Sequence, residues 1–416
     1  MSEPHYDVAV IGGSQAGLSM SYHLSEAGID HVVFEKNSPG HAWRTQRWDN
    51  FCLVTPNWQC KLPGFPYPGD EPNGFMPRDE IVRYVEDYAA RIEAPLRLGV
   101  GVQRLGATDA GFRLETSDGA CTADAVVLAV GGYHQPNIPR LAERLPEGIV
   151  QIHSSGYRNS RQLPPGAVMV VGSGQSGCQI AEDLLLDGRD VHLVVGSAPR
   201  SPRAYRGRDA TDWLYDLGQY DLPVERHSLG EKVRRRANHY MTGRGGGREI
   251  DLRRFATQGM TLYGRLLDLA GGRLRFGDDL RKNLDAADTS YDNICAVIDR
   301  YIDDNGIAAP PGHRCAPVWQ PGATVTDLDP VAAGISAIVW ATGFRSDWSW
   351  VDLPIFDGAG YPTHTRGVTS VPGIYVLGLP WLYTWGSGRF VGVGRDAAYL
   401  AERIQAHRHQ AALAAA

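Results

Sequence analysis

The stretch that decides the fold lies near the start of the chain and reads Val8-Ala9-Val10-Ile11-Gly12-Gly13-Ser14-Gln15-Ala16-Gly17. Its apolar half is typical of a buried strand, its glycine-rich half of a tight turn, and a helical pattern continues over residues 17–27. A second strand is predicted over residues 30–35. Such a strand–loop–helix–strand unit places a dinucleotide diphosphate at a helix N-terminus, where unpaired N–H groups favour anions.

Four positions of this unit have separate physical roles. Gly12 permits the tight turn, and Gly17 lets the helix pack closely on the strand. Ser14 stands where the motif usually has its middle glycine, and its hydroxyl can donate a hydrogen bond to phosphate. Glu35 ends the second strand, where a carboxylate accepts hydrogen bonds from ribose hydroxyls. We therefore predict FAD at this loop; the alternative is a glycine turn in an unrelated α/β protein.

A second glycine loop follows an apolar run at residues 168–171 and reads Gly172-Ser173-Gly174-Gln175-Ser176-Gly177. The next strand, predicted over residues 191–195, ends at Gly196-Ser197 without an acid, and arginines follow at 200, 203, 206 and 208. Guanidinium binds phosphate bidentately, so this pattern suits a ribose 2′-phosphate bound by Arg200 or Arg203, with the other arginines on a solvated loop. We predict NADPH here. Two such loops indicate hydride transfer between two nucleotide cofactors.

Composition narrows the class of protein. The 416 residues suffice for two or three domains, and a net charge of −6 argues against nucleic acid as the main partner. The sequence contains no run of about 20 apolar residues, so it predicts no membrane span. The first residues lack the pattern of a signal peptide. The six cysteines are scattered without a Cys-x-x-Cys pair, which favours reduced thiols in the cytoplasm over a disulfide framework or a metal site.

The order of these patterns predicts an α/β flavoprotein with two Rossmann-like domains. The expected FAD domain covers residues 1–160 and 326–416, and the NADPH domain of residues 161–325 is inserted into it, with a mainly helical insertion over about 209–306. Helical periodicity predicts further helices over 78–92, 284–303 and 396–406, and the tail from 407 is expected to fray. Further strands are predicted over 102–105, 111–115, 125–130, 335–340 and 374–377.

Several motifs resemble the class B flavin-dependent monooxygenases. Val339-Trp340-Ala341-Thr342-Gly343-Phe344 matches the Ala-Thr-Gly-Tyr segment of that family, and Leu128-Ala129-Val130-Gly131-Gly132-Tyr133 is a parallel element. His153 and Tyr157 fit the end of the family fingerprint Phe-x-Gly-x-x-x-His-x-x-x-Tyr/Phe, whose Phe and Gly positions are not matched.

The short YUCCA-type members of that family are similar over more of the chain. This resemblance rests on Trp43-Arg44, on residues 48–63 and 78–90, and on Gly378-Leu379-Pro380-Trp381. It implies that NADPH reduces FAD and that O2 then forms a C4a-(hydro)peroxyflavin, which bound NADP⁺ shields. One oxygen atom then passes to a nitrogen or sulfur of a small organic substrate, or adds to a carbonyl in a Baeyer–Villiger reaction. The oligomeric state stays open, a homodimer included.

Asn57, His153 and Trp381 are the candidate catalytic residues. Asn57 stands where the larger family often has an asparagine near the flavin, although the YUCCA-type pattern has lysine there. His153 is either catalytic or a structural histidine between domains, and Trp381 either faces the flavin or packs in the core. The residues predicted to bind the two cofactors are Gly12, Ser14, Gln15, Ala16, Gly17, Glu35, Trp43, Gly131, Gly172, Gly174, Gln175, Ser176, Gly177, Ser197, Arg200, Arg203, Thr342, Gly343, Gly378 and Arg395.

Two other functions fit the same patterns. A pyridine nucleotide–disulfide reductase would need a redox cysteine pair, and Cys52 and Cys60 are the pair that folding could bring together. A non-enzymatic redox sensor that binds FAD and NADPH would turn NADPH over slowly with every small molecule. The arginine-rich segment 233–254, interrupted by Gly245-Gly246-Gly247, is either a solvated face or a mobile lid.

Overall fold

The computed structural model of the chain describes residues 3–415, within which nine α-helices form. They are α1 (Gln15–Glu26), α2 (His41–Thr45), α3 (Arg78–Arg91), α4 (Gln175–Leu186), α5 (Ala210–Asp216), α6 (Arg244–Gly247), α7 (Leu252–Thr257), α8 (Leu280–Asp304) and α9 (Val393–Ala415). The helices predicted over 17–27, 78–92 and 284–303 are confirmed as α1, α3 and α8. None of the described helices combines the length and hydropathy that crossing a bilayer requires.

The C-terminal helix corrects one expectation. The sequence predicts a helix over 396–406 and a frayed tail from residue 407, whereas α9 continues through Ala415. The tail is rich in alanine, the best helix former, which extends the helix beyond its packed face. Residue 416, the last of the predicted tail, lies outside the described residues.

The strands of the described residues are short. They are β1 (His5–Ile11), β2 (His31–Glu35), β3 (Lys61–Leu62), β4 (Phe65–Pro66), β5 (Leu96–Leu98), β6 (Val102–Thr108), β7 (Gly111–Thr116), β8 (Gly119–Leu128), β9 (Gln135–Pro136), β10 (Val150–His153), β11 (Ala167–Val171), β12 (Val191–Val194), β13 (Ala204–Tyr205), β14 (Arg208–Asp209), β15 (Thr261–Tyr263), β16 (Leu266–Ala270), β17 (Arg273–Phe276), β18 (Asp327–Leu328), β19 (Ile335–Trp340), β20 (Phe344–Arg345), β21 (Val351–Asp352), β22 (His364–Thr365), β23 (Val368–Thr369) and β24 (Ile374–Val376). The strands predicted from apolar runs are confirmed as β1, β2, β6, β7, β8, β11, β12, β19 and β24.

The first sheet carries the N-terminal glycine loop. Its parallel core has the order β5-β2-β1-β8-β24, with Val10 facing Val33 on one side and Val127 on the other. One edge of the long strand β8 pairs with β1. Along its other edge, the first half pairs antiparallel with β7 and the last residues pair parallel with β24. Val8 and Ala9 are fully buried, as expected for a parallel strand covered on both faces.

The second sheet repeats this arrangement. It is parallel throughout, with the order β15-β12-β11-β19-β10, so the central strand β11 again leads into a glycine loop and then a helix, α4. Two sheets with the same order, each with its glycine loop after the central strand, confirm the predicted α/β fold with two Rossmann-like units.

The predicted domain boundaries need correction at two strands. β10 pairs with β19, and β19 pairs with β11, so both strands belong to the second sheet although the predicted boundaries assign them to the FAD domain. An apolar run such as Ile335–Trp340 shows that a strand is buried but not in which of two parallel sheets it lies. The predicted boundary after residue 160 therefore falls within the second unit, between β10 and β11.

The segment 209–306 is less helical than predicted. β15 joins the second sheet as its edge strand, and β16 and β17 form an antiparallel hairpin. Short strands with mixed polar and apolar residues carry a weak sequence signal, so the long amphipathic helix α8 dominated the pattern.

The chain passes between the two units at two neighbouring places. β9 and β20 pair as an antiparallel ribbon, in which Phe344 faces Pro136. Next to it, the side-chain amide of Asn137 donates to the carbonyl of Thr342 at 3.1 Å, and its backbone N–H donates to the carbonyl of Gly343 at 3.0 Å. The second unit, from Asn137 to Gly343, therefore leaves and re-enters the first through one ribbon.

Candidate active site

The two glycine loops share one backbone geometry. Gly12 has φ +108° and Gly172 has φ +109°, a region that side chains rarely adopt. A Cβ on Gly12 would lie 2.7 Å from the carbonyl oxygen of Ala129, and one on Gly172 would lie 2.5 Å from that of Ala341. Each tight turn therefore presses against the end of the adjacent strand, and neither position accepts a side chain.

The third glycine of each loop is fixed by helix packing, and the middle one is not. A Cβ on Gly17 would lie 1.8 Å from the carbonyl oxygen of Gly12, and Gly177 repeats this contact with Gly172. In contrast, Ser14 has φ −97° and ψ −166°, an extended conformation that any residue adopts. The serine in the first loop therefore costs no backbone strain.

The first loop opens into a cavity of about 790 Å³ at the carboxyl edge of the first sheet. Many of the predicted cofactor-binding residues come together there. Its lining includes Gly12, Ser14, Gln15, Ala16, Glu35, Trp43, Gly131, Gly378 and Trp381. Gly17 lies beneath the loop rather than on the cavity wall.

Glu35 closes one end of this cavity. One of its carboxylate oxygens accepts a hydrogen bond from the backbone N–H of Gly13 and the other from that of Asn37, both at 2.8 Å. These bonds fix the carboxylate beside the glycine loop. Each oxygen has two lone pairs, so the carboxylate can still accept hydrogen bonds from a ribose.

Another part of the cavity lining, here called the aromatic end, consists of Pro380, Trp381, Trp385, Arg389 and Asn238. Glu35 follows β2 and the 378–389 segment follows β24, three strand spacings or about 14 Å apart along the sheet edge. Trp381 has φ +53°, a left-handed conformation that is unusual for a bulky residue.

Arg47 is a lining residue that the sequence analysis missed. Its guanidinium lies over the rings of Trp43 and Phe51, 5.1 and 5.5 Å from their centroids, and burial lowers its pKa. No carboxylate of the described residues lies within 4.0 Å of it. The available signal was its place four residues after Trp43, just beyond the end of α2.

Comparison with known proteins shows where this fold and cavity belong. Residues 9–215 match the family described as pyridine nucleotide-disulphide oxidoreductase. A CzcO-like oxidoreductase of Geobacillus kaustophilus is 35% identical over 96% of this chain and 99% of its own length. The probable indole-3-pyruvate monooxygenase YUCCA4 of Arabidopsis thaliana is 28% identical over 48% of this chain and 49% of that protein. A flavin monooxygenase variant from Stenotrophomonas maltophilia has a TM-score of 0.67 at 20% identity, covering 97% of this chain and 99% of that one.

The chain belongs to the same family as the CzcO-like oxidoreductases, and part of it is similar to the YUCCA-type flavin monooxygenases. It is therefore an oxidoreductase of a flavin- and pyridine-nucleotide-dependent type. The fold agrees, because the solved flavin monooxygenase aligns with nearly the whole chain.

Within this flavoenzyme, His153 has a structural position. It ends β10, its Nε2 donates to the carbonyl of Gly343 at 2.9 Å, and its Nδ1 accepts the N–H of Ser155 at 3.2 Å. Burial lowers the pKa of this imidazole. His153 ties β10 to the segment after β19 and does not line the cofactor cavity, so the structural alternative for this residue is the one that the geometry supports.

Asn57 also lies away from the cavity lining. Its side-chain oxygen accepts the N–H of Met76 at 2.7 Å, and its Nδ2 donates to the carbonyl of Glu71 at 3.0 Å. Its amide therefore fixes the loop between these residues. Of the three candidate catalytic residues, only Trp381 faces the cavity.

Arg200 does not offer a free cation to a nucleotide phosphate, as the sequence predicts. It is 3% exposed and pairs with Glu249, with Asp251 at 3.1 Å and with Asp288 at 2.8 Å. These carboxylates come from segments about 50 to 90 residues further along the chain, which no local pattern reveals.

The other arginines after the second loop are paired in the same way. Arg203, which is 4% exposed, pairs with Asp209 and donates to the carbonyl of Val54 at 2.7 Å. The remaining pairs are Arg206 with Asp299 and Arg208 with Asp216. The prediction that Arg200 or Arg203 binds the 2′-phosphate is thus corrected: both guanidiniums are buried structural cations.

Other predicted residues surround the second loop. Thr342 and Gly343 follow β19, next to Gly172, so this motif belongs to the second unit rather than to the first cofactor cavity. Gln175 and Ser176 open α4, and Ser197 is exposed at the end of β12. The hydroxyl of Ser173 accepts the N–H of Gly196 at 2.9 Å, which ties the loop to that strand.

Arg395 is a further correction. Its guanidinium pairs with Asp221 and donates to the hydroxyl of Thr384 at 2.8 Å, outside the cavity lining. It therefore joins α9 to a neighbouring loop rather than to a cofactor.

The cysteines do not form a redox centre at the cavity. All six are free, and none is among the residues that line it. Burial raises the pKa of the Cys60 thiol to about 12. Burial also raises the pKa of the Cys52 thiol above its ordinary value. A thiol with a raised pKa is a poor nucleophile at neutral pH, so Cys52 and Cys60 lack the chemistry of a flavin-linked dithiol.

The arginine-rich segment packs onto the rest of the molecule. A Cβ on Gly243 would lie 1.9 Å from the carbonyl oxygen of Leu53, and Arg244 pairs with the buried Asp183 at 2.6 Å. Arg234 donates to the carbonyl of Trp381. Parts of this segment are therefore buried contacts of the site rather than a solvated face.

Proposed function

We propose that the protein is an FAD- and NADPH-dependent monooxygenase that inserts one oxygen atom from O2 into a small organic substrate, at nitrogen or sulfur in preference to a Baeyer–Villiger insertion. One observation carries this proposal. The lining of the cavity at the first glycine loop includes tryptophans and no cysteine, so it offers a bound flavin an aromatic wall and no dithiol.

The residues of this cavity fit FAD. Glu35 suits the adenosine ribose, and the N-terminus of α1 suits the diphosphate, because its N–H groups and dipole favour anions. Arg47 adds an unpaired cation to the same cavity and suits the second negative charge of the diphosphate. The aromatic end suits the isoalloxazine ring and the substrate, because its tryptophans can pack against a flat ring system.

The second glycine loop suits the pyridine nucleotide. Gly172 and Gly177 leave the N-terminus of α4 open to a diphosphate, as in the first unit. β12 ends at Gly196-Ser197 without a carboxylate that would repel a 2′-phosphate, which supports NADPH. Because Arg200 and Arg203 are engaged elsewhere, we do not assign the 2′-phosphate to either of them.

Bound flavin supplies two-electron reduction by the nicotinamide and activation of O2, and the chain supplies the rest. Two electrons from NADPH and two from the substrate reduce O2, so that one oxygen atom enters the product and the other leaves as water. Trp381 and Trp385 exclude water from the aromatic end, which limits loss of the activated oxygen as hydrogen peroxide.

Labelled oxygen tests the proposal. Holoenzyme is given NADPH, ¹⁸O2 and a panel of thioethers, amines and ketones, and the products are analysed by mass spectrometry. We expect one ¹⁸O atom per product molecule and NADPH consumption that rises with substrate. NADPH oxidation that only yields hydrogen peroxide with the whole panel would contradict the proposal.

Cysteine variants distinguish a monooxygenase from the alternative, a disulfide reductase. Changing Cys52 and Cys60 to serine, singly and together, should leave flavin binding and NADPH oxidation intact, because neither thiol faces the cavity. If either change abolished flavin reoxidation by a disulfide while FAD stayed bound, a disulfide reductase would be the better assignment. A folded variant with Gly12 changed to valine serves as the flavin-free control.

A further inference from the structure

Four tryptophan and tyrosine rings lead from the cofactor cavity toward the surface. Trp385 lines the cavity, and the centroid of the Tyr220 ring lies 4.6 Å from that of Trp385. The centroid of Tyr215 follows at 6.0 Å from Tyr220, and that of Trp58 at 4.8 Å from Tyr215. These spacings are those of packed aromatic pairs, so the four rings form one row, here called the aromatic row.

The far end of the aromatic row reaches solvent. Trp58 and Tyr215 are half-buried, whereas Tyr220 is 2% exposed. The exposed Lys61 places its Nζ 4.8 Å from the ring centroid of Trp58 and 5.1 Å from that of Tyr215. A small molecule in solution can therefore reach Trp58 but not Tyr220.

The aromatic row differs from the aromatic contacts of other rings that line the cavity. Trp43 and Tyr133 have only phenylalanine rings as aromatic neighbours among residues 3–415. Trp350 is followed by Trp348, which is 7% exposed. Phenylalanine is much harder to oxidise than tryptophan or tyrosine, and a buried tryptophan does not exchange electrons with solutes. These other contacts therefore do not connect the cavity with solvent by oxidisable rings.

The two ends of the aromatic row differ in their proton acceptors. The Nε1–H of Trp385 points to the side-chain oxygen of Asn238 at 3.4 Å, which is not a base. The Arg389 guanidinium lies 4.7 Å from the centroid of Trp385 and disfavours a positive charge on that ring. At the other end, the Nε1–H of Trp58 donates to the Oδ1 of Asp212 at 2.9 Å. An oxidised Trp58 therefore has a carboxylate that accepts its proton, and an oxidised Trp385 has none.

The groups between and beside the two tryptophans favour the outer end. The Tyr220 hydroxyl is buried without a hydrogen-bond partner among the described residues. Because an oxidised tyrosine must release its proton, Tyr220 bridges its neighbours and does not hold the charge. The cation of Lys61 disfavours a positive charge on Trp58, and transfer of the proton to Asp212 removes that charge. Burial raises the pKa of Asp212, which strengthens it as a proton acceptor.

We propose that the aromatic row carries single oxidising equivalents from the cavity to Trp58 and so protects the cavity from oxygen radicals that escape the substrate. The radical takes one electron from Trp385 and a proton from water. An electron from Trp58 replaces it through the rings of Tyr220 and Tyr215, and the Nε1 proton of Trp58 passes to Asp212. A thiol or ascorbate in solution then returns one electron to Trp58, and Asp212 returns the proton. This inference rests on the flavin of the proposed function.

Photochemistry tests the path of the electron without oxygenation. In FAD-loaded enzyme, without NADPH and without oxygen, a laser flash lets the excited flavin take one electron from a neighbouring ring. Transient absorption follows the oxidised tryptophan. We expect an oxidised tryptophan that ascorbate removes at a rate proportional to its concentration. Decay at the same rate with and without ascorbate would overturn the inference.

Variants show whether Trp58 is the outer end of the path. Trp58→Phe and Asp212→Asn should each shorten the lifetime of the oxidised tryptophan about ten- to a hundredfold, the range for one charged hydrogen bond. The asparagine still accepts the Nε1–H but is not a base, so a merely structural role of Asp212 would leave the lifetime unchanged. Trp48→Phe, at a buried tryptophan next to Phe51, is the matched control and should keep the wild-type lifetime. If Trp58→Phe fails to fold, Asp212→Asn decides.

The protective role has its own measurement. The enzyme is given NADPH and oxygen without substrate, and oxidised residues are located by mass spectrometry. We expect oxidation at Trp58 in the wild type. In Trp58→Phe, oxidation should move to Trp385, and the enzyme should lose activity after fewer turnovers. Equal oxidation at Trp385 in both proteins would overturn the protective role.

The outcomes separate this inference from the proposed function, because the photochemical experiment needs bound flavin but no oxygen transfer. A long-lived oxidised Trp58 without any oxygenated product would leave the electron path standing and count against the monooxygenase. Oxygenated products with no long-lived oxidised tryptophan would do the reverse.

Discussion

Arg234 and Trp381 are joined by a hydrogen bond of 2.9 Å from the Nε of the arginine to the carbonyl oxygen of the tryptophan. The Nη2 of Arg234 also donates to the carbonyl of Leu382 at 3.1 Å. Trp381 has φ +53°, which costs a non-glycine residue roughly 1–2 kcal/mol. A cation from the second unit thus holds a strained turn of the first unit at the edge of the cofactor cavity.

This contact predicts the effect of removing the guanidinium. Arg234→Met should lower the free energy of unfolding by about 1.5–3 kcal/mol, the value of a hydrogen bond from a charged donor. Urea unfolding measures the loss. Arg235→Gln is the matched control, because the Arg235 side chain is 73% exposed; a loss as large as that of Arg234→Met would contradict the role given to Arg234.

The buried ion cluster at Arg200 predicts a stability effect without a change in cofactor choice. Arg200→Met leaves Glu249, Asp251 and Asp288 without their shared cation, and breaking a buried pair costs about 3–5 kcal/mol. The ratio of kcat/KM for NADPH to that for NADH should stay at the wild-type value in whatever folded fraction remains. A folded Arg200 variant with normal stability and a lost preference for NADPH would return this residue to the nucleotide site.

The second glycine loop predicts that two alanine substitutions differ in their effect on stability. Gly177→Ala should destabilise the second unit, because the new Cβ would lie 1.8 Å from the carbonyl oxygen of Gly172. Gly174→Ala meets no atom within 4 Å and has φ −67°, so its melting temperature should equal that of the wild type. Differential scanning calorimetry compares them. Equal melting temperatures for both variants would show that helix packing does not fix the third glycine.

The buried carboxyl group of Asp396 lies in the first turn of α9. It predicts that an amide at this position increases the free energy of unfolding, by an amount that depends on pH. It is 1% exposed, neither carboxylate oxygen has a hydrogen-bond partner, and burial raises its pKa. The native state thus binds this proton more tightly than the unfolded state, and wild-type stability falls as pH rises above the ordinary value of 3.8. Asp396→Asn should unfold at higher urea than the wild type at pH 8, and this difference should shrink at pH 4.5.

The exposed change Asp303→Asn on α8 is the control for this experiment and should show no such trend. A loss of stability in Asp396→Asn at pH 8 would mean that the carboxylate is charged and favourably placed at the helix N-terminus.

The buried imidazole of His364 predicts that the stability of the protein decreases as the pH falls, which is the opposite of the trend for Asp396. Burial, aided by the charge of Arg234, lowers the pKa of this imidazole to about 3. Between the ordinary value of 6.5 and about 3 the unfolded state binds the proton that the native state excludes, so stability falls as pH falls, by up to about 1.4 kcal/mol per pH unit. His364→Asn should flatten the curve of melting temperature against pH between 6 and 4. His5→Asn, at an exposed position, should leave that curve unchanged.

Local patterns were enough to predict the parts of the fold that depend on local physics. The glycines of the two loops can be recognised in the sequence because a tight turn and close helix packing exclude every side chain. The structure shows the tight-turn contact at Gly12 and Gly172 and the packing contact at Gly17 and Gly177. The apolar runs of β1 and β11 have the length of parallel strands buried on both faces.

Long-range pairing explains what the sequence could not reveal. The charges of Arg200 and Arg389 look alike in a sequence, but three distant carboxylates neutralise the first and none reaches the second. Likewise, β19 is an obvious strand whose sheet depends on a pairing with β11 more than 160 residues earlier. Sequence separation, rather than weak patterns, hid which of the arginines have a carboxylate partner.

The ribbon of β9 and β20 makes the second unit a single insertion into the first. Its two strands lie side by side, so the ends of the first unit are about one strand spacing apart, roughly 4.8 Å. A two-residue Asn-Gly hairpin turn can span that gap, which means that the segment 137–343 can be excised or replaced without breaking the path of the first sheet.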